Sequence, residues 1–418
     1  MSETCIVDLK ARKVFDSRGS ETVEVEVYTR KTVGKASAPA GASKGKWEAV
    51  SYPEGGVEEA VRRILILVKP RLIGFDSSDQ VNVDKALKEI DGTINFSKIG
   101  GNTAYAVSLA VADAASKTLG IPMYQHIGGT MVKNLPYPLG NVLGGGKHAG
   151  EGCPDIQEYL VLPVGAKKFR EAYLGNREVH RALRRILEER NIPFFGGRGD
   201  EGAWAPRISN DGAFEATAEA VKRASERLGF EIRFGVDVAS SSFWDEEKCK
   251  YMYKHGKPLD KGEQIDYVLE CIDKYKLLYV EDPFHEEDFE GFRELTEKAG
   301  DKCLICGDDL FVTNVERLRK GIDIHAGNAV IIKPNQIGTV TDAYEATKLA
   351  QKHGYVTVFS HRSGETTDGH LAHLAVAFNC PIVKIGVLGG ERIAKINEFL
   401  RIEEHMGDQA SMHRVGVK

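Results

Sequence analysis

Three apolar runs of strand length, in LLYVEDPFHEED, LICGDDLFVTN and AVIIKPNQIGT, each stop abruptly at a charged residue: Glu281, Asp308 and Lys333. A strand buried on both faces reads this way when it delivers one polar group at its carboxyl end. The charged residues stand 27 and 25 positions apart. A strand, a loop, a helix and a return loop take about that many residues, so the stretch predicts three consecutive βα units of one sheet.

The pattern extends in both directions. EIRFGVDVASS ends on Asp237, DIQEYLVLP carries Glu158, and FFGGRGDEGAW sets Glu201 in a Gly-rich turn after a short apolar run. YVTVFSHRSGE ends on His361 and Arg362, and PIVKIG carries Lys384. Eight polar stations result, at 158, 201, 237, 281, 308, 333, 361 and 384, with segments of helical period at 168–189, 215–228, 341–352 and 366–378 between them. This predicts an α/β fold, a TIM-type (β/α)8 barrel with its site on one rim. The first three intervals, of 43, 36 and 44 residues, exceed one plain βα unit, so that half should carry extra elements or long loops.

At 418 residues the chain exceeds one domain of usual size, and a barrel over 136–418 leaves an N-terminal domain over 1–135. Residues 5–40 alternate apolar and polar positions, as a half-exposed antiparallel sheet does, with TVEVEVYTR the clearest strand. Helices over 57–72 and 103–119 follow, making this domain α+β. Between sheet and helices lies APAGASKGKWEAV, where Gly41 and Gly45 bracket Ser43. Such a loop reads either as a mobile connection or as a lid with glycine hinges. NLPYPLGNV, with two prolines, marks the domain boundary.

Net charge is −5 with no acidic or basic block, which gives no ground for a nucleic-acid or membrane partner. No apolar run reaches the roughly 18 residues of a membrane span, and MSETCIVDLKARKV has no signal-peptide core. A cytoplasmic location is the default expectation. Seven scattered cysteines, an odd number, predict reduced thiols. Cys303 and Cys306 form one CxxC, read as part of a strand rather than as a redox or zinc motif, since no second CxxC accompanies it.

Asp237, Glu281 and Asp308 come from neighbouring strands, and three bare carboxylates at one point repel unless a cation neutralises them. Taken singly, each reads as a helix cap or an ion-pair partner; at successive strand ends they read as ligands. Hard oxygen donors without thiolate favour Mg²⁺, with Mn²⁺ as a possible substitute. Lys333 serves as a base only if nearby cations, such as metal ions and Lys384, lower its pKa. Glu201, across the barrel, stands where an acid would act. That pairing suits removal of a proton next to a carboxylate, with loss of a leaving group from the next carbon. Arg362 and Ser363 suit phosphate.

DSRGSETVEVEV, GASKG, HAG with QE, GDEG, EDPF, GDDLFVTN, KPNQIGT, SHRSGETTD and ERIAKINEFLRIEE occur in this order across almost the whole chain, and together they resemble the enolase family. The resemblance implies 2-phosphoglycerate hydro-lyase chemistry, as in glycolysis and gluconeogenesis, and a barrel of ββαα(βα)6 order whose second strand runs antiparallel. It implies two Mg²⁺ per site, the first on Asp237, Glu281 and Asp308, the second on Ser43 of the closing lid and the substrate phosphate. Lys333 is then the base and Glu201 the acid, helped by Glu158. Lys384 meets the substrate carboxylate, Arg362 and Ser363 meet the phosphate, and His148, Gln157 and His361 line the site. A homodimer or larger homo-oligomer is expected. The chain departs from the family's usual pattern at Lys44, Ala203, Ser242 and Ile385. A paralogue using the same chemistry on another carboxylate, or a non-catalytic binding protein on this scaffold, therefore stays open at this point.

Overall fold

The computed structural model describes residues 2–41, 45–254 and 256–416. Strands β1 (Ile6–Phe15), β2 (Glu21–Thr29) and β3 (Val33–Ser37) form an antiparallel sheet in that order. The alternation of TVEVEV buries Val23, Val25 and Val27, while Glu24 and Glu26 on the other face pair with Arg12 of β1. Helix α1 (Gly56–Arg63) passes through a π-helical turn, Ile64–Val68, into Lys69–Leu72, so the helix expected over 57–72 is interrupted. A helix that the periodicity does not announce, α2 (Gln80–Asp91), starts where the Asp79 side chain accepts from the Asn82 amide. Helix α3 (Gly101–Leu119) is almost wholly buried. It lies so near β3 that a Cβ on Gly34 would sit 2.1 Å from the Ala114 amide nitrogen; only glycine permits that approach.

Eight strands close the barrel: β4 (Tyr137–Gly144), β5 (Glu158–Leu162), β6 (Arg233–Asp237), β7 (Leu277–Glu281), β8 (Leu304–Gly307), β9 (Ala329–Ile332), β10 (Val356–Ser360) and β11 (Ile382–Lys384). They pair in chain order, and β11 returns to β4. Strand β5 alone runs antiparallel to both neighbours, so Glu158, its first residue, stands at the same rim as the last residues of the others. Helices α4 (Phe169–Glu189) and α5 (Asn210–Leu228) follow β5 together. From β6 on, each strand is followed by one long helix: α6 (Lys261–Tyr275), α7 (Phe289–Ala299), α8 (Val315–Ile324), α9 (Val340–Lys352), α10 (His370–Ala377) and α11 (Gly390–Met406).

One expected station is not a strand. Glu201 lies in a single 3-10 turn, Asp200–Gly202, with φ 66°, a left-handed conformation that costs a residue with a side chain about 1–3 kcal/mol. The strand that completes the eight is β4, whose sequence YPLGNVLG contains no charged residue and falls within the expected domain boundary. All its residues are buried, and its polar group at the rim is the neutral Asn141. The long early intervals hold the paired helices α4 and α5 and a small hairpin, Trp244–Asp245 with Lys250–Tyr251.

Candidate active site

Strand register gathers the acids. Glu158 pairs with Asp237, and Asp237 with Glu281. Their oxygens converge on Lys384 at the end of β11, whose Nζ lies 3.0 Å from Glu158 Oε2, 2.9 Å from Asp237 Oδ2 and 2.8 Å from Glu281 Oε1. Asp308, just after β8, pairs through Oδ2 with Nζ of Lys333, just after β9. Its other oxygen accepts from Gln336 Nε2 at 3.1 Å. Gln157 Nε2 donates to Asp237 Oδ2 at 3.2 Å.

His361 Nε2 lies 3.0 Å from Glu201 Oε1, and Asn141 Nδ2 donates to Glu201 Oε2 at 3.3 Å. His148 Nδ1 lies 3.0 Å from Glu158 Oε1. Arg362 donates to both oxygens of Glu48 at 3.0–3.1 Å and to Asn335 Oδ1 at 3.1 Å. Behind it, the fully buried Arg392 donates to the backbone oxygens of Arg362 and Ser363 at 2.8 and 2.7 Å. That clamp fixes the loop after β10. Most of these side chains line one common cavity.

Burial raises the proton affinity of every carboxylate here, and neighbouring charges decide the outcome. Glu281 is held well above the ordinary carboxylate range by burial and by Asp237. Asp237 is raised by burial in spite of Lys384. Burial and the Asp308 charge push Asp309 up to about 7. Against burial, Lys333 and Lys384 hold Asp308 below its usual value. Against burial and Glu201, Lys384 and His148 do the same for Glu158. Glu201 lies well below its usual value because His361, His148 and Arg392 overcome burial. Burial lowers His361 itself, against the Glu201 charge.

Lys333 departs from expectation. Burial, the largest single effect, lowers its pKa together with Arg362 and Lys384, but Asp308 and Glu281 raise it, and the balance is a raised value. The expected metal trio is likewise divided in this structure, because the ammonium groups of Lys384 and Lys333 stand among its oxygens. Among the described residues, the groups with donor atoms within 4.8 Å of one another are Asp282, Asp308 and Asp309, and His148, Glu158 and Glu201. The donors nevertheless suit a hard cation. They are carboxylate oxygens in surplus, and Glu281 and Asp237 stay raised even in contact with Lys384, so added positive charge is favourable there.

Two family models match the chain: "Enolase, N-terminal domain" over residues 6–127 and "Enolase, C-terminal TIM barrel domain" over residues 132–417. The curated enolase of Methanosphaera stadtmanae is 53% identical over 405 residues, covering 97% of this chain and 98% of its own length. Those of Methanothermobacter thermautotrophicus and Archaeoglobus fulgidus are 51% and 54% identical, covering 97% and 96% of this chain and 97% and 98% of their own. The chain belongs to the enolase family.

Within this enolase-family site, His148, Gln157, Glu158, Glu201, Asp237, Asp308, Lys333, His361, Arg362, Ser363 and Lys384 all line the one cavity. Glu281 lies beneath Lys384 with no exposure. Ser43, like Lys44, falls outside the described residues. Ala203, Ser242 and Ile385, where the chain departs from the family pattern, are not among the cavity's lining residues. Sequence reasoning missed Glu48, Asn141, Asp309, Asn335, Gln336 and Arg392. The acid doublets in EDPF and GDDLF, and the polar pair after KP in KPNQIGT, were the available signals. Glu48 had none, because its partner is more than 300 positions away. All seven cysteines are free in the structure, and Cys303 and Cys306 are buried, Cys306 within β8.

Proposed function

We propose that this chain works as an enolase, a hydro-lyase interconverting 2-phosphoglycerate and phosphoenolpyruvate. The observation that supports the reading is that Lys333, held by Asp308, and Glu201, beside His361, line one cavity together with Arg362 and Lys384. A proton acceptor and a proton carrier at one cavity match loss of the C2 proton and the C3 hydroxyl from a short substrate. Arg362 and Ser363 would hold the phosphate and Lys384 the carboxylate, with His148, Gln157 and His361 forming the wall.

Asp237, Glu281 and Asp308 would hold a Mg²⁺, or Mn²⁺ in its place, and Ser43 with the phosphate a second. When bound, the metal supplies positive charge that offsets the surplus of carboxylates and polarises the substrate carboxylate. Lys333 is a charged group while Asp308 holds it, and it acts as a base only after giving up its proton. Loosening of that ion pair leaves burial, Arg362 and Lys384 favouring the neutral amine against Glu281. Glu201 is ionised in the resting site. In the hydration direction it is ready to take a proton from water. In the dehydration direction it must first gain one, which the approach of an anionic substrate favours.

The same reading takes in two domains divided at residues 135 and 136, a cytoplasmic setting, a homodimer or larger homo-oligomer, and a small phosphorylated carboxylate as ligand, without nucleic acid or membrane. No helix among the described residues is long and apolar enough to cross a membrane. The test is direct. Purified protein given 2-phosphoglycerate and Mg²⁺ should produce phosphoenolpyruvate, followed by its ultraviolet absorbance, and chelation should stop it. Absence of product with intact folded protein would overturn the assignment.

A further inference from the structure

Two groups not assigned above, Glu48 and Gln336, join Arg362 to the Asp308–Lys333 pair by a chain of contacts. Glu48 grips the guanidinium of Arg362 with both oxygens, and the two side chains are 6% and 5% exposed. Glu48 Oε1 also accepts from Gln336 Nε2 at 3.4 Å. The same Nε2 donates to Asp308 Oδ1 at 3.1 Å, and Asp308 holds Lys333. Gln336 has little freedom to rotate away. Its Oε1 accepts from Thr313 Oγ1 at 2.9 Å, and that hydroxyl oxygen accepts the Lys333 amide at 2.9 Å. Its backbone oxygen accepts the Ala49 amide at 2.8 Å, tying it to the segment that carries Glu48.

Resting on the enolase reading, we propose that Gln336 and Glu48 are positioning residues that couple the anion-holding Arg362 to the Asp308–Lys333 pair. The physical reason is that one amide nitrogen serves two carboxylates. An anion that draws Arg362 away from Glu48 changes the demand of Glu48 on Gln336, and hence the orientation of Asp308. Coupling of this kind, through buried hydrogen bonds between adjacent groups, is of measurable size. It also accounts for Glu48, a buried acid that would otherwise only oppose anion binding at Arg362.

The decisive variant is Gln336→Leu, which changes no charge and does not touch Arg362. Inorganic phosphate binding to the metal-free protein is measured by calorimetry for wild type, Gln336→Leu, Glu48→Gln and the double variant. Mg²⁺ binding is measured on the same four proteins. We expect Gln336→Leu to shift phosphate affinity by about three- to tenfold, and the shift to vanish in the Glu48→Gln background. Phosphate affinity of Gln336→Leu within twofold of wild type, or an equal shift in both backgrounds, overturns the coupling. If wild type binds phosphate and Mg²⁺ and forms phosphoenolpyruvate while the cycle is additive, the enolase reading stands and this inference falls. If wild type binds neither ligand, both fall. Should Gln336→Leu unfold, judged by circular dichroism, Gln336→Glu replaces it: a second acid beside Glu48 must then alter phosphate affinity, and an unaltered affinity counts against the coupling.

Discussion

Lys384 Nζ lies 2.8 Å from Glu281 Oε1, and the carboxylate is wholly buried beneath the ammonium. The contact is made by residues 103 positions apart, at the ends of strands on different sides of the barrel. Its consequence is that Lys384 serves the architecture as well as the substrate. Replacing it by methionine leaves Glu158, Asp237 and Glu281 buried without their shared partner. The expected cost is about 3–5 kcal/mol in urea unfolding, partly recovered by Mg²⁺. A variant as stable as wild type without metal would contradict this.

Asp308 should govern metal and base together. Asp308→Asn removes a hard oxygen ligand and releases Lys333, so Mg²⁺ binding should weaken by tenfold or more and turnover should cease, with the fold intact. Calorimetric Mg²⁺ titration checks this, and unchanged Mg²⁺ dependence would exclude the site.

The two proton carriers serve different half-reactions. Lys333→Ala should stop exchange of the substrate C2 proton with solvent, whereas Glu201→Gln should keep that exchange and block loss of the hydroxyl. Deuterium incorporation measured by NMR distinguishes them. Equal exchange in both variants at the wild-type rate would refute the roles.

A pH effect is expected away from the cavity. His370, at the start of α10, contacts Asp368 through Nδ1 at 3.2 Å and faces Asp113 of α3 through Nε2 at 3.8 Å. Burial opposes its charge, but these acids prevail and its pKa rises to about 9. A value raised on folding means that the charged form stabilises the protein below the unfolded value of about 6.5. This contribution is lost as pH climbs from there to about 9. Lys395 also acts on Asp368. His370→Gln should lower the melting temperature at pH 6 and leave it near wild type at pH 10. Parallel melting curves for the two proteins across that range would show the contact to be inert.

The barrel was legible because period and spacing are local properties. Apolar runs ending in Asp237, Glu281, Asp308 and Lys333 at βα intervals leave few other folds for the chain. The motif order carried the family, and with it the antiparallel β5. Strand β4 escaped because it ends in no charge, and Glu201 misled because an apolar run before a turn looks the same whether or not it pairs. What the tertiary structure decided was the pairing of charges. The partners of Lys333, Arg362 and Lys384 are fixed by barrel closure and by the N-terminal segment bearing Glu48, and no spacing in the sequence reports distances across a barrel. The direction of the Lys333 shift followed from that pairing, since burial and two cations favour the neutral amine while the carboxylates of Asp308 and Glu281 favour the charged one.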